Sequence, residues 1–175
     1  MAKTLYSATM SLDGFIAGPG GDMSWLTEHL GGSDPTADRV LHEVGCLLVG
    51  GRTFRGDDPN KGTDAEGAFG GRYHGPVVVL TRTVPAEPVP GVIFADDLRK
   101  AVAKARELAG DRYVNILGAE VARHCLEAGL LDEILMFVAP VLLGDGVRVL
   151  DHPGGTRVRL EQLPGTSAHW YRVVS

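Results

Sequence analysis

Apolar residues occur along this chain in two alternating patterns. Some form short continuous runs, which are typical of strands buried on both faces of a sheet. Such runs occur at residues 5–10, 46–49, 76–80, 91–95, 114–117 and 134–138. Between several of these runs, apolar residues recur every three or four positions, which predicts amphipathic helices. Strands that alternate with helices are typical of an α/β fold with a mostly parallel sheet.

Capping residues mark where the predicted helices begin and end. Asp34 followed by Pro35 is the pattern of an N-cap and a first helical residue, and Gly45 ends the apolar stripe that follows. Asp97 caps a second predicted helix, and a third begins after Gly118. Each predicted helix therefore lies between two of the predicted strands.

Two further segments complete the pattern. Apolar and polar residues alternate within 158–163 and again within 169–174, which predicts an antiparallel hairpin near the end of the chain. Residues 56–75 contain six glycines and no apolar periodicity, so we expect a long, mobile surface loop. No repeat or linker divides residues 1–175, which predicts a single domain.

Composition and charge exclude several classes of function. The chain has 22 acidic and 17 basic residues, a net charge of −5, whereas nucleic-acid-binding proteins usually have a basic excess. No apolar run approaches the roughly 20 residues of a membrane-spanning helix, and the first residues lack the apolar core of a signal peptide. Cys46 and Cys125 have apolar neighbours and no metal-ligand spacing, as expected of buried, reduced thiols. We therefore expect a cytoplasmic protein that binds no nucleic acid, membrane or metal.

Glycine is the one unusual component, since it supplies 24 of the 175 residues, about twice the usual proportion. In a folded protein, glycine is required at tight turns and where the backbone closely approaches a ligand. Gly14, Gly51 and Gly118 each stand just after a predicted strand. We expect these three glycines to lie where the backbone approaches a bound ligand.

Two strand–turn–helix junctions are candidates for phosphate binding, at residues 49–53 and 116–121. Each aims free backbone N–H groups and the positive end of a helix at the carboxyl edge of the sheet, where α/β proteins bind ligands. Thr81 and Arg82 follow another strand at the same edge, and Arg52 adds a second guanidinium. Neither junction matches the two standard phosphate motifs. The alternative interpretation is that the glycines only end strands and helices and that both arginines are solvated.

Five motifs in this order resemble the dihydrofolate-reductase-like superfamily, and within it the group that includes the reductase domain of riboflavin biosynthesis. The motifs are SLDGFIAG, GRTF, VVVLTR, ILGAEVAR and GLLDEILMFVAPVLLGDG, beginning at residues 11, 51, 77, 116 and 129. The resemblance implies a three-layer α/β fold with a central, mostly parallel sheet of about eight strands and a C-terminal antiparallel hairpin. It also implies that the chain is an NADPH-dependent reductase and that it forms a homodimer.

The same resemblance implies a set of cofactor-binding residues. Three lie near the nicotinamide, three hold the pyrophosphate and adenosine phosphate, two meet the adenosine 2′-phosphate, and four wrap the pyrophosphate from the other side. In that order they are Ala8, Thr9 and Ile16; Gly51, Arg52 and Thr53; Thr81 and Arg82; and Gly118, Ala119, Glu120 and Val121. Two arginines near one phosphate favour NADPH over NADH.

Hydride transfer also requires a proton donor. Dihydrofolate reductases place a carboxylate in the helix after the first glycine-rich bend, and Asp34 and Asp38 are the candidates here. Asp34 is equally explained as an N-cap, and Asp38 as a solvated side chain. Asp13, in an Asp-Gly pair, is a third candidate and is also a typical turn residue.

The motifs say less about the substrate than about the cofactor. Trp25 and Phe54 are candidates to flank a planar heterocycle beside the nicotinamide. Riboflavin-pathway reductases usually have Lys where this chain has Phe15, which argues against a phosphorylated ribosylaminopyrimidine as substrate. The hypothesis is a reductase of a small planar nitrogen heterocycle. The alternatives are a weak dihydrofolate reductase, a ribosylaminouracil reductase, and a non-catalytic NADP-binding module.

Overall fold

The structure is a computed structural model that describes residues 1–29, 34–56, 58, 60–155, 157–164 and 169–174. The strands are β1 (Thr4–Ser11), β2 (Phe15–Ala17), β3 (Val44–Gly50), β4 (Val77–Leu80), β5 (Val92–Ala95), β6 (Tyr113–Leu117), β7 (Glu133–Ala139), β8 (Val147–Arg148), β9 (Arg159–Gln162) and β10 (His169–Val174). The α-helices are α1 (Pro35–Glu43), α2 (Gly51–Arg55), α3 (Leu98–Ala109) and α4 (Ala119–Glu127). Two 3₁₀ helices span Pro19–Gly21 and Ser24–His29.

Eight strands form one sheet in the order β5-β4-β3-β6-β1-β7-β10-β9. All neighbours are parallel from β5 to β7, and β10 and β9 complete the sheet in antiparallel pairing. β2 and β8 form a separate two-stranded ribbon. The predicted α/β fold, the mostly parallel sheet of about eight strands and the antiparallel C-terminal hairpin are confirmed.

Helices cover both faces of the sheet, because successive side chains of each strand point to opposite faces. On one face, α3 and α4 pack against a core that includes Leu48 and Ile116. On the other face, α1 inserts Val40 against Leu5, Leu47 and further residues. The result is the predicted three-layer arrangement, with the carboxyl ends of the parallel strands left uncovered by these two helical layers.

The two predicted N-capping aspartates act as predicted. Asp34 Oδ1 accepts hydrogen bonds from Thr36 N–H at 2.7 Å and Ala37 N–H at 3.1 Å, so it satisfies two of the free donors at the start of α1. Asp97 Oδ1 accepts from Lys100 N–H at 2.8 Å at the start of α3. These bonds fix the first turns of both helices.

The predicted end of the first helix is wrong. α1 ends at Glu43, and both Val44 and Gly45 belong to β3. A Cβ on Gly45 would lie 2.5 Å from the Ala109 carbonyl oxygen, so the close approach of α3 to the sheet requires glycine there. Glycine marks a packing contact at this position rather than a helix end.

Between α2 and β4, the described residues form turns and contain no helix or strand, as predicted for 56–75. The segment is nevertheless attached to the core. Phe69 and Tyr73 pack against the cluster that contains Val40, and Tyr73 Oη donates to Pro76 O at 3.0 Å.

Both cysteines are buried and unpaired with each other. Burial raises the pKa of the Cys46 thiol to about 11 and that of Cys125 to about 12. Both therefore remain protonated at neutral pH and act as small core residues. Among the described residues, no helix has the length and apolar character that crossing a membrane requires.

Candidate functional site

The two predicted strand–helix junctions lie side by side at the carboxyl end of the sheet. β3 and β6 are parallel neighbours, and α2 and α4 begin directly after them. Gly118 has a φ of +105°, and a Cβ on it would lie 2.6 Å from Thr53 Oγ1. Both the backbone angle and the contact require glycine, so the second junction is packed directly against the first.

Contacts within the chain also explain the glycines of the first junction. A Cβ on Gly51 would lie 2.7 Å from Thr81 Oγ1, and one on Gly50 would lie 3.0 Å from a methyl of Val121. Gly14 has a φ of +88° but open space where a Cβ would be. Close approach to a ligand is therefore not needed to explain Gly51, because internal packing alone requires glycine there.

Arg52 and Glu120 connect the two junctions at the surface. Arg52 Nη2 donates to Glu120 Oε2, with the two side chains 82% and 51% exposed. Glu120 lies in the first turn of α4, where the positive end of the helix stabilises a carboxylate. One cation and one anion thus lie beside the free N–H groups of the helix.

A cavity of about 350 Å³ opens between α2, α4 and β8. Its lining carries three arginines and two carboxylates. The lining residues are Arg52, Ala119, Glu120, Arg123, Gly146, Val147, Arg148 and Asp151. Three of them belong to the predicted cofactor set, and the cavity lies at the predicted edge of the sheet. Its excess of arginine favours an anionic ligand.

Thr81 and Arg82 differ in what they offer to a ligand. Thr81 is buried and its Oγ1 contacts the Thr83 backbone, while Arg55 Nη1 approaches it at 3.5 Å. Arg82 is exposed and forms no ion pair with a carboxylate in the described part of the chain. Arg82 therefore has its guanidinium available, whereas the Thr81 side chain is taken up by the fold.

The remaining cofactor candidates lie at or near the same end of the sheet. Ala8 and Thr9 are in the second half of β1, opposite Met136 and Phe137 of β7. Ile16 is the central residue of β2. Val121 is buried in the core, so only its backbone is left to contact a ligand. The cofactor roles of these residues stay predictions.

The three candidate proton donors each have a partner in the structure. Asp34 caps α1 through backbone amides, and Asp38 Oδ1 accepts from Arg72 Nη1 at 2.8 Å. Asp13 accepts from the Ser11 hydroxyl and from two backbone N–H groups. These bonds, with Ser11 the largest contributor, lower the pKa of Asp13 to about 2. Their catalytic roles stay predictions, and Asp13 is ionised at neutral pH.

The two candidate substrate aromatics contact different rings. Phe54 packs edge-on against Phe94 with ring centroids 5.6 Å apart, and Trp25 lies 6.2 Å from His29. The indole N–H of Trp25 is buried and finds no acceptor among the residues described. Trp25 therefore keeps a free donor, whereas Phe54 acts mainly as packing.

Sequence reasoning missed five residues of the cavity wall, namely Arg123, Gly146, Val147, Arg148 and Asp151. The signal for three of them was the turn Gly144-Asp145-Gly146, which leads directly into β8 and belongs to the fifth motif, but no role was assigned to it. A Cβ on Gly146 would meet the backbone at Ala17 and Gly18, so this turn packs onto the ribbon formed with β2.

A family model described as the RibD C-terminal domain matches residues 2–167. The chain belongs to the RibD C-terminal domain family. Membership confirms the resemblance inferred from the five motifs. It also confirms the expected enzyme class, because the family is one of reductases that use a nicotinamide cofactor.

Curated relatives agree with this family. The chain is 29% identical over 157 residues to the riboflavin biosynthesis protein RibD of Mycobacterium tuberculosis, covering 85% of this chain and 45% of that protein. It is 24% identical over 155 residues to the uncharacterized protein YyaP of Bacillus subtilis, covering 82% and 78%. The chain thus spans about half the length of the RibD proteins that it matches.

Solved structures support the fold. A riboflavin biosynthesis protein from Shewanella sp. PV-4 has a TM-score of 0.74 at 22% identity, with all of both chains covered. The riboflavin biosynthesis reductase Rib7 of yeast has a TM-score of 0.60 at 18% identity, with 99% of this chain and 90% of that chain covered. At these identities, the likeness concerns the fold alone.

Proposed function

We propose that the chain is an NADPH-dependent reductase of a small planar nitrogen heterocycle, of the kind represented by aminouracils and pterins. The observation that carries the proposal is the direct packing of the two strand–helix junctions beside an arginine-lined cavity. Helix N-termini and guanidinium groups are the groups that proteins use to bind the phosphates of dinucleotides. The names of the curated relatives support a substrate from the same chemical class as riboflavin precursors.

The residues present fit a dinucleotide. The N–H groups of α4, nine residues long, open onto the cavity through Ala119 and Glu120. Gly118 lets the start of α4 pack against Thr53 of α2, so the two junctions lie side by side at the cavity. Arg52 and Arg148 would neutralise the phosphate charge. When bound, a reduced nicotinamide supplies the hydride, and the protein contributes binding and orientation.

Arg82 supports NADPH over NADH. It follows β4, the strand next to β3 in the sheet, and its side chain is exposed at the same edge. A guanidinium matches the geometry of a phosphate monoester through two parallel N–H groups. We assign to Arg82 the binding of the adenosine 2′-phosphate. Thr81 would support the site indirectly, because its side chain packs against Gly51 at the start of α2.

Of the candidate proton donors, Asp38 fits best. Both oxygens of Asp13 and one oxygen of Asp34 accept from backbone amides, so the fold already uses these two carboxylates as acceptors. Asp38 has one modest ion pair, with a half-exposed Arg72. Trp25 offers its buried indole N–H to a polar atom of the substrate.

The engagement of Asp13 and Asp34 also favours a second candidate function, an NADP-binding module without turnover. The two functions share the cavity and its arginines but differ in whether any carboxylate can deliver a proton. A weak dihydrofolate reductase and a ribosylaminouracil reductase are variants of the first candidate that differ only in substrate.

The experiment that tests the proposal has two stages. Titration calorimetry measures NADPH binding, and absorbance then follows NADPH oxidation with dihydrofolate, other pterins and aminouracils. We expect binding and oxidation with at least one heterocycle. Arg52→Ala should weaken binding, and Arg99→Ala, an exposed arginine on α3, serves as the matched control. Binding without oxidation across the panel supports the module, and absence of binding contradicts both candidates.

Two further statements remain part of the proposal, namely that the chain forms a homodimer and that it acts in the cytoplasm. Light scattering tests the first. A particle with the mass of one 18.6 kDa chain would contradict the homodimer.

A further inference from the structure

Asp13 holds together two segments that are far apart in sequence. Its Oδ1 accepts from the Ser11 hydroxyl at 2.6 Å and from Leu143 N–H at 3.1 Å, and its Oδ2 accepts from Gly144 N–H at 2.7 Å. Both carboxylate oxygens are therefore occupied by donors. The first segment is the turn after β1, and the second is the segment after β7.

The second segment carries part of the cavity wall. Two residues after Gly144 begin Gly146, Val147 and Arg148, all of which line the cavity. Val147 and Arg148 form β8, which is only two residues long. A strand this short pairs too weakly to hold its own position, so its placement depends on other contacts.

One of those other contacts comes from β1, where Tyr6 Oη donates to Val149 O at 2.8 Å. The remaining ones come from the turn next to Asp13. Val149 N–H donates to Gly14 O at 2.9 Å. Ser11 Oγ accepts from Phe15 N–H at 3.0 Å, and the Arg148 guanidinium lies 4.8 Å from the centre of the Phe15 ring. Asp13 and Ser11 thus form one network that fixes the residues on both sides of Arg148.

We propose that Asp13 is a positioning residue for anion binding, whose carboxylate holds residues 141–149 so that Arg148 lines the cavity. The inference rests on the proposed function for the identity of the anion, a dinucleotide phosphate. It assigns Asp13 a role different from proton transfer. Three of the roughly four acceptor positions of the carboxylate are used to hold the two segments together.

The test is a double-mutant cycle between Asp13→Asn and Arg148→Ala, read out by calorimetric affinity for NADPH and for inorganic pyrophosphate. We expect each single variant to weaken binding roughly tenfold, and the double variant to bind no more weakly than Arg148→Ala alone. Asp22→Asn is the matched control, because Asp22 accepts in the same way from Ser24 but stays within its own turn. It should leave both affinities unchanged.

Two outcomes of the binding experiment would overturn the inference. Additive losses in the double variant would show that Asp13 does not act through Arg148. Unchanged binding in Asp13→Asn together with a loss of hydride transfer would make Asp13 a proton donor instead.

Hydrogen exchange separates a failure of this inference from a failure of the proposed function. If the unmodified protein binds neither probe, the proposed function fails and exchange decides the role of Asp13. Faster amide exchange confined to residues 11–15 and 141–149 in Asp13→Asn supports the positioning role. Unchanged exchange at Leu143 and Gly144 overturns it, since both amides would then be protected without the carboxylate.

Discussion

At the carboxyl end of the sheet, a cavity of about 350 Å³ lies between α2, α4 and β8. At the amino end, a cavity of about 360 Å³ lies between the first residues, the end of α1 and the start of β6. Both are lined by charged side chains of either sign. The amino-end lining consists of Met1, Lys3, His42, Glu43, Asp111, Arg112 and Tyr113. Size and charge alone therefore do not distinguish the two ends.

The ends differ in how their charges are satisfied. Beside the amino-end cavity, the Glu133 side chain is 2% exposed and accepts three hydrogen bonds of 2.9 Å, from Lys3 Nζ, Tyr113 Oη and Trp170 Nε1. Burial and the Glu133 carboxylate also raise the pKa of Tyr113, which keeps its hydroxyl protonated as a donor. The buried charge at this end is fully used by the fold.

The arginines at the carboxyl end differ in their partners, and Arg123 in the cavity wall pairs with Glu127 at 2.9 Å. Arg82 and Arg148 form no ion pair within the described ranges, and Arg52 is paired with Glu120 only at an exposed surface. Exposed pairs of this kind contribute little to stability and exchange easily for a stronger partner. Arg112 in the amino-end lining also forms no ion pair among the described residues. The comparison therefore teaches that the two ends differ in the buried, fully bonded carboxylate of Glu133, rather than in cavity volume.

Removing the central charge of the amino end should give the largest effect. Glu133→Ala leaves a buried indole N–H and phenol without their acceptor, so we expect a loss of about 3–5 kcal/mol in the free energy of unfolding. Urea denaturation measures it. Affinity for NADPH, determined on the folded fraction, should not change. Glu161→Ala is the matched control, since its pair with Arg172 is exposed and should contribute less than about 1 kcal/mol. A matching loss of NADPH affinity would remove the distinction between the two ends.

The next effect concerns the packing of the junctions. Gly118→Ala forces an L-residue into a φ of +105° and a Cβ into Thr53 Oγ1, so we expect about 1–3 kcal/mol of destabilisation together with weaker NADPH binding. Gly110→Ala is the control, because Gly110 has a φ of +65° and open space around a Cβ. Gly110→Ala should lose stability only through backbone strain, about 1–3 kcal/mol because its ψ is −116°, and should keep its affinity for NADPH. Equal behaviour of the two variants would contradict the direct contact between the junctions.

Arg82 tests the free charges of the carboxyl end. Arg82→Ala should weaken NADPH binding about tenfold and leave NADH binding unchanged, because one charge-assisted contact to the 2′-phosphate is lost. Calorimetry with both cofactors measures this selectivity, with Arg99→Ala as the surface control. If the unmodified protein binds NADPH and NADH equally well, the assignment of Arg82 is wrong.

Most of the fold was predictable because its signals are local. A continuous apolar run such as Cys46–Val49 has to be buried on both faces, and a cap such as Asp97 fixes a helix start within one turn. Gly45 was misassigned for a different reason. Its requirement for glycine comes from the backbone of Ala109, a contact between residues far apart in the sequence that no local pattern contains.

The residues of the candidate site likewise divide into those that the local sequence marks and those that it does not. Gly51, Arg52 and Gly118 lie on strand–helix junctions, which the sequence marks by a buried run that ends at small residues. Arg148 was not predictable, because it lies in a two-residue strand that pairs with β2, more than 100 residues earlier in the chain. Asp13 itself was a catalytic candidate, since sequence shows which residue is a carboxylate but not how many donors surround it.

The smallest expected change in stability comes from two aspartates of α1, one of which caps the helix while the other is the favoured proton donor. Asp34→Ala removes the acceptor of Thr36 and Ala37 N–H, so we expect a loss of about 1 kcal/mol in the free energy of unfolding and no change in kcat. Asp38→Ala is the matched variant on the same helix, with an exposed ion pair worth less than about 1 kcal/mol. Loss of a general acid usually lowers kcat by about 10²–10⁴-fold, so steady-state kinetics on the substrate found in the panel identifies which aspartate acts. A fall of that size in Asp34→Ala, with Asp38→Ala unaffected, would move the proton donor to the N-cap. It would also show that a carboxylate that caps a helix can still do chemistry, contrary to what the two ends of the sheet imply.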